Sequence, residues 1–169
     1  MRAWRVALKR ARRDRLLAHP DYQDAEIDLA DREAVAALFD AHRPSRVVHL
    51  GAQAGIRYSV ENPDTYIDSN VVGFLSVLQG CRTVEAEHLV FASTSSVYGA
   101  NGALPYGVDQ AVSHPLNLYS ATKIANEAMA HAFAYVHRLP CTGLRFFTVY
   151  GPWGRPDMAL FKFTRAILE

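Results

Sequence analysis

With 169 residues, half of them hydrophobic, and a net charge of +1, the chain reads as one globular domain long enough to bury a core. No run approaches the length of a membrane span, and no apolar signal-peptide core is present, which excludes an integral membrane segment and a secretory leader within this sequence. Cys81 and Cys141 stand alone in hydrophobic contexts and the seven histidines are scattered. A disulfide framework and a metal site are therefore not expected, and a reducing, cytoplasmic compartment is.

Charge is uneven along the chain. Residues 1–15 hold seven Lys or Arg (Arg2, Arg5, Lys9, Arg10, Arg12, Arg13, Arg15) against Asp14 alone. Attraction to nucleic acid or a membrane surface is one reading of this arm, and a solvated helix face is the better one. An organellar transit peptide is also Arg-rich and acid-poor, but the absence of Ser counts against it. No nucleic-acid or membrane partner is expected.

In chain order, residues 5–17 predict a helix rich in Ala, Leu, Arg and Lys, ended by His19-Pro20-Asp21. Residues 22–29 predict a short strand leading to Asp28-Leu29-Ala30-Asp31. Asp31 is placed to cap a helix over 32–41, whose inner face carries Ala34, Val35, Leu38 and Phe39. Arg46-Val47-Val48-His49-Leu50 is a buried-strand candidate, followed by the small-residue turn Gly51-Ala52-Gln53-Ala54-Gly55. A long helix is expected over 65–84, a strand over 89–92, a Gly/Pro/Asn-containing loop over 98–115, a helix over 119–137, a strand over 144–149 and a last helix over 157–168. Strands alternating with helices imply an α/β fold, a mainly parallel sheet covered on both faces. No internal repeat or low-complexity tract occurs.

Two absences qualify this. A complete dinucleotide-binding fold opens with a strand, a Gly-rich turn and an acidic residue about twenty positions later. No G-x-G-x-x-G or G-x-x-G-x-x-G occurs in the 169 residues. The chain also stops inside a helix, so it looks like the middle of a larger protein.

The chemistry concentrates in Asn117-Leu118-Tyr119-Ser120-Ala121-Thr122-Lys123 and in the hydroxyl run Ser93-Thr94-Ser95-Ser96. Tyr119 and Lys123 are four apart at a helix start, so both project from one face. The hydroxyls close an apolar strand, where parallel sheets place their chemistry. A tyrosine, a lysine and a hydroxyl brought together can perform reversible proton transfer at a carbinol carbon. Tyr-x-x-x-Lys alone is weak: Tyr119 also suits a helix-start aromatic and Lys123 a surface cation. The hydroxyl run 25 residues ahead and the small-residue turn, where a flat cofactor can lie close to backbone, strengthen the chemical reading.

On these residues the chain resembles the extended short-chain dehydrogenase/reductase family, in its sugar-nucleotide epimerase branch. The matching pieces are Asp28-Leu29-Ala30-Asp31, His49-Leu50-Gly51-Ala52-Gln53-Ala54, Ser69-Asn70-Val71-Val72-Gly73, Ser93-Thr94-Ser95-Ser96-Val97-Tyr98-Gly99 and Tyr119-x-x-x-Lys123. They stand in the family's order and span nearly the whole chain from about Val6. Gln53-Ala54-Gly55-Ile56-Arg57-Tyr58-Ser59 and the stretch from Leu144 to Met158 look more narrowly like the UDP-glucuronate 4-epimerases. UDP-galactose epimerases usually carry Asn where Thr148 stands.

The resemblance implies a Rossmann-like, doubly wound parallel sheet, incomplete here. It is a partial NAD-binding domain whose last ~15 residues begin a substrate-binding region. It implies NAD as cofactor and 4-epimerisation of a UDP-sugar, most closely UDP-glucuronate, through a 4-keto intermediate. Tyr119 is then the base on the sugar 4-hydroxyl. A free tyrosine has a pKa of ~10, so basicity near neutrality needs a drop of about three pH units, about 4 kcal/mol, for which Lys123 and the positive nicotinamide are the sources. Thr94 is to hydrogen-bond the same oxygen, and Lys123 also to hold the nicotinamide ribose.

The other cofactor contacts implied are Asp28 and Leu29 at the adenine end, Leu50, Gly51, Ala52 and Gln53 in the turn beneath the cofactor, and Asn70, Ser93 and Phe146. Gly51 departs from the more usual Ala. Without the resemblance, Asp28 reads as a helix cap and Asn70 as a buried polar residue. A 4-keto uronic acid is a β-keto acid prone to lose carbon dioxide, so its carboxylate must be pinned. Ser95, Ser96 and Thr148 are suitable donors, with Arg155 for phosphate or sugar; turn hydrogen bonding and an exposed loop arginine are the plainer readings of the serines and of Arg155. Family dimers use the helices corresponding to 65–84 and 119–137, which implies a homodimer. Rival expectations are UDP-glucose 4-epimerase or UDP-glucuronate decarboxylase chemistry on the same scaffold, or a non-catalytic remnant that only self-associates. Without the Gly-rich turn, this chain alone is expected to bind NAD weakly.

Overall fold

The computed structural model describes residues 3–169, which divide into two compact units: Ile27–Phe147, and residues 3–26 together with Thr148–Glu169. The larger unit is built on three strands, β1 (Arg46–His49), β2 (His88–Thr94) and β3 (Cys141–Phe146). All pair in parallel in the order β1-β2-β3, with Val47 opposite Leu89, His49 opposite Phe91 and Thr94 opposite Phe146. Parallel neighbours need crossover connections. Between β1 and β2 these are α3 (Tyr58–Glu61), α4 (Pro63–Tyr66), a π-helical segment (Ile67–Val72) and α5 (Gly73–Thr83); between β2 and β3 it is α6 (Leu118–His137).

Local chemistry sets several boundaries. In α2 (Arg32–His42) the Asp31 side chain accepts from the Ala34 amide at 3.0 Å, the expected cap. The helix closes on Arg43 in the left-handed region (φ 41°). Asn117 caps α6 in the same way, its Oδ1 accepting from the Ser120 amide at 2.8 Å and from the Ser120 hydroxyl at 3.0 Å. Val35 and Phe39 of α2 join Phe74, Leu78, Leu89, Phe91, Ala130 and Leu139 in the buried core. Helices α2 and α5 come close enough that a Cβ on Gly80 would lie 2.5 Å from the Phe39 ring.

Four expectations are corrected. Residues 22–29 form no strand. Instead Asp28 makes a turn, its Oδ1 accepting from the Ala30 amide at 2.9 Å and its carbonyl from the Asp31 amide at 3.0 Å. A strand exists only with a partner for its backbone, and none lies beside these residues. The long helix expected over 65–84 begins at Pro63 and is interrupted by the π segment. Strand β2 runs to Thr94, so Ser93 and Thr94 lie within it, and Ser95–Tyr98 form a 3-10 turn. Strand β3 starts and ends three residues earlier than the pattern suggests.

The smaller unit contains α1 (Ala3–Leu17) and α7 (Ala159–Leu168). Part of the basic arm is engaged inside it. Arg12 donates to the Trp153 carbonyl, the Arg15 guanidinium lies 5.1 Å from the Trp153 ring centroid, and Arg13 sits 3.5 Å from Asp24 and 3.6 Å from Glu26. No described helix is long and apolar enough to cross a membrane.

Candidate active site

Lys123 anchors the site. The capped start of α6 puts Tyr119 in its first turn and Lys123 one turn on, on one side of the helix. Lys123 is 2% exposed, and its Nζ donates to the Ala92 carbonyl at 2.8 Å, two residues before β2 ends at Thr94. Burial lowers its pKa to about 8, so the ammonium survives at neutral pH in a place where its field is poorly screened. Thr94 is buried, and its Oγ1 accepts from the Ser96 amide at 3.2 Å, which starts the 3-10 turn carrying the half-buried Ser95 and Ser96. The Tyr119 ring meets the Tyr66 ring edge-on, centroids 6.2 Å apart. Tyr66 is wholly buried and donates its hydroxyl to the Gly55 carbonyl at 2.5 Å, joining α6 to the small-residue turn.

That turn is held from beneath by Asn70. Its Oδ1 accepts from the Gln53 amide at 2.8 Å, while its Nδ2 donates to the Gln53 carbonyl at 3.1 Å and the Thr122 hydroxyl at 3.0 Å. Thr122 in turn donates to the Tyr119 carbonyl at 2.8 Å. Within the π segment the i→i−4 ladder is broken, and Asn126 Nδ2 donates to the Asn70 carbonyl at 2.7 Å. Asn70, expected as a cofactor contact, thus has its side chain committed to shaping the turn. Leu29 fills the space under Gly51, where a Cβ would come within 2.7 Å of its Cδ1. Leu50, Gly51 and Ala52 are exposed, as are Asp28 beside Leu29 and Phe146 at the end of β3.

Sequence reasoning overlooked His49, Tyr66, Thr122, Asn126, Glu127 and Arg145. His49 closes β1, is buried with its ring 5.4 Å from Phe74, and has its pKa lowered to about 4 by burial and by the charge of Lys123. It is neutral beside the lysine. The Ser93 hydroxyl, expected to face the cofactor, donates to Glu127 Oε1 at 2.5 Å. Glu127 stands four residues after Lys123 and Asn126 three, a helical spacing that marks both for the same side of α6. Thr148 and Arg155 belong to the smaller unit. There Arg155 makes a two-pronged pair with Asp157 at 3.1 and 2.7 Å.

A phenol and a buried ammonium stand one turn apart, at the end of a parallel strand closed by a threonine and beside an exposed backbone turn, the group types that reversible proton transfer requires. Residues 4–169 match the model of the NAD dependent epimerase/dehydratase family. The chain belongs to that family. It is 46% identical over 162 residues to a probable UDP-glucuronate 4-epimerase of Rhizobium meliloti, covering 96% of this chain and 48% of the relative. It is 48% identical over 164 residues to UDP-glucuronate 4-epimerase 1 of Arabidopsis thaliana, covering 96% and 38%. The fold matches the UDP-glucuronic acid 4-epimerase of Bacillus cereus, solved with UDP-glucuronic acid and NAD, at a TM-score of 0.86 and 29% identity over 96% of this chain and 51% of that one. The chain spans about half the length of the curated relatives it matches.

NAD is the cofactor of this epimerase/dehydratase family, and the residues present fit it. Leu29 packs the underside of the Gly51 turn and leaves its upper face bare, so a nicotinamide nucleotide can lie against backbone. Lys123 supplies a charged donor at the same strand ends.

Proposed function

We propose that this chain carries the catalytic half of an NAD-dependent UDP-sugar 4-epimerase acting on UDP-glucuronate. The observation that carries it is the Lys123–Ala92 hydrogen bond, which seats the lysine one helical turn from Tyr119 at the end of the strand that Thr94 closes. Bound beside Lys123 and the Gly51 turn, NAD would supply the hydride acceptor and donor for sugar carbon 4. Tyr119 removes the proton of the 4-hydroxyl and later gives it back to the inverted centre. Lys123, charged below about pH 8, favours the phenolate, and Thr94 steadies the shared oxygen. Asp28, Leu29 and Leu50 to Gln53 line the cofactor side, with Phe146. Ser95 and Ser96 follow Thr94 in one tight turn, which supports them as donors to the sugar carboxylate. Held out of line with the carbonyl π system, that carboxylate does not leave as carbon dioxide. Thr148 and Arg155, in the smaller unit, are assigned to the substrate on the family resemblance of their sequence alone.

The test is turnover of UDP-glucuronate by the purified protein at saturating NAD. UDP-galacturonate is expected without carbon dioxide, and Tyr119→Phe should lower kcat by about 100- to 10,000-fold. Carbon dioxide release overturns the epimerase reading, preference for UDP-glucose overturns the substrate, and no turnover overturns the catalysis. Self-association through the helices over 65–84 and 119–137 belongs to the same proposal, supported by the exposed Ile67, Tyr135 and Val136 on them. A monomer in sedimentation at assay concentration rejects it.

A further inference from the structure

Glu127 and Arg145 tie together four segments around the site. The Glu127 carboxylate accepts from Arg145 Nε at 3.0 Å and Nη2 at 2.9 Å, and its Oε1 also accepts from the Ser93 hydroxyl. The remaining guanidinium nitrogen, Nη1, donates to the Val108 carbonyl at 3.1 Å, and the guanidinium carbon lies 5.0 Å from the Tyr98 ring centroid. Tyr98 stacks flat on Tyr106, centroids 4.5 Å apart at 5°. Ser93 and Arg145 are register partners on β2 and β3, Glu127 is on α6, and Val108 lies in the long loop between the 3-10 turn and α6. That loop starts beside Ser95 and Ser96 and ends at the cap of the Tyr119 helix. Both its ends are therefore in the site, and Arg145 holds its middle.

We propose that Glu127 and Arg145 are positioning residues: a clamp that sets the Tyr119–Lys123 helix against the end of β2 and holds the 99–117 loop closed on the sugar nucleotide. The proposal rests on the epimerase reading for its kinetic consequence and on geometry alone for its structural one. The half-buried pair, with side chains 18% and 19% exposed, is bidentate and charge-assisted, the strong kind of ion pair. Arginine is required because one planar fork serves the carboxylate, the carbonyl and the ring face together; a lysine ammonium cannot reach all three.

The experiment compares wild-type protein with Arg145→Lys, Glu127→Gln and the exposed-pair control Arg46→Ala, by hydrogen–deuterium exchange, thermal melting and steady-state kinetics. In Arg145→Lys, residues 99–117 are expected to lose exchange protection, kcat to fall about 10- to 100-fold as the helix loses its setting, and KM for UDP-glucuronate to rise while NAD affinity holds. Glu127→Gln, which keeps its acceptor oxygen for Ser93, should fall between wild type and Arg145→Lys, and Arg46→Ala should match wild type. Unchanged loop exchange in Arg145→Lys overturns the clamp. So does a lowered melting temperature with kcat and KM per folded molecule unaltered, the signature of a purely structural pair. If wild-type protein turns over no UDP-sugar but loop exchange responds as described, the epimerase reading fails and the clamp stands.

Discussion

Lys123 is buried where it donates to the Ala92 carbonyl, and the proposed reaction also needs it charged; the two demands pull against each other. Burial takes its pKa from the ordinary lysine value to about 8. Below about pH 8 folded and unfolded chains both carry the proton, and the fold bears the cost of a buried ammonium. Between about 8 and the unfolded value near 10.5 only the unfolded chain keeps it, so stability rises with pH across that window. The total is about 3 kcal/mol. We therefore expect kcat/KM to fall as pH rises through about 8, and Lys123→Arg, where it supports turnover, to lack that limb. Lys123→Met should be inactive yet more stable at pH 7, by about 2 kcal/mol after loss of the Ala92 hydrogen bond, with the rise from pH 8 to 10.5 gone. Urea denaturation across that range decides it; an unstabilised Met variant would mean that the hydrogen bond outweighs desolvation.

At the scale of elements, the π segment in the 63–83 helix carries Asn70, the polar hub that joins the Gly51–Gly55 turn to α6. A regular helix would return the Asn70 carbonyl to its own ladder. Here the Asn70 carbonyl, inside the π segment, accepts from Asn126, and the Asn70 side chain spans Gln53 and Thr122. Every partner is buried or half-buried, so a lost hydrogen bond is not replaced by water. Asn126→Ala is expected to destabilise by about 2–3 kcal/mol and to weaken NAD binding, read by denaturation and by titration calorimetry. Asn126→Ala with wild-type stability would show that the bulge is held by other contacts. The same scale explains Gly99, whose φ of +55° and a Cβ that would fall 2.0 Å from the His114 carbonyl leave no room for a side chain where the 3-10 turn meets the loop.

For the molecule as a whole, the sheet is the constraint. Among the described residues β1 pairs only with β2, and Val48 on it and Leu50 just after it are 66% and 64% exposed. An unpaired edge flanked by apolar side chains invites another chain. Val48→Lys should reduce light scattering and binding of a hydrophobic dye while changing stability by no more than about 0.5 kcal/mol. Scattering that does not change would place the association elsewhere.

By itself the sequence determined what depends on neighbours a few positions away: most of the helices, the cap at Asp31, the parallel α/β pattern, and Tyr119 with Lys123 one helical turn apart. It also placed the chain in its family, since short motifs in fixed order survive without any coordinates. Only the tertiary structure decided which groups these residues spend their hydrogen bonds on. Ser93 is taken by Glu127, 34 positions away, and Asn70 by Gln53, Thr122 and Asn126. The physical reason is range. A helical period or a cap is set within one turn of chain, whereas the partner of a buried hydroxyl or amide is whatever the packing of distant elements brings within 3 Å.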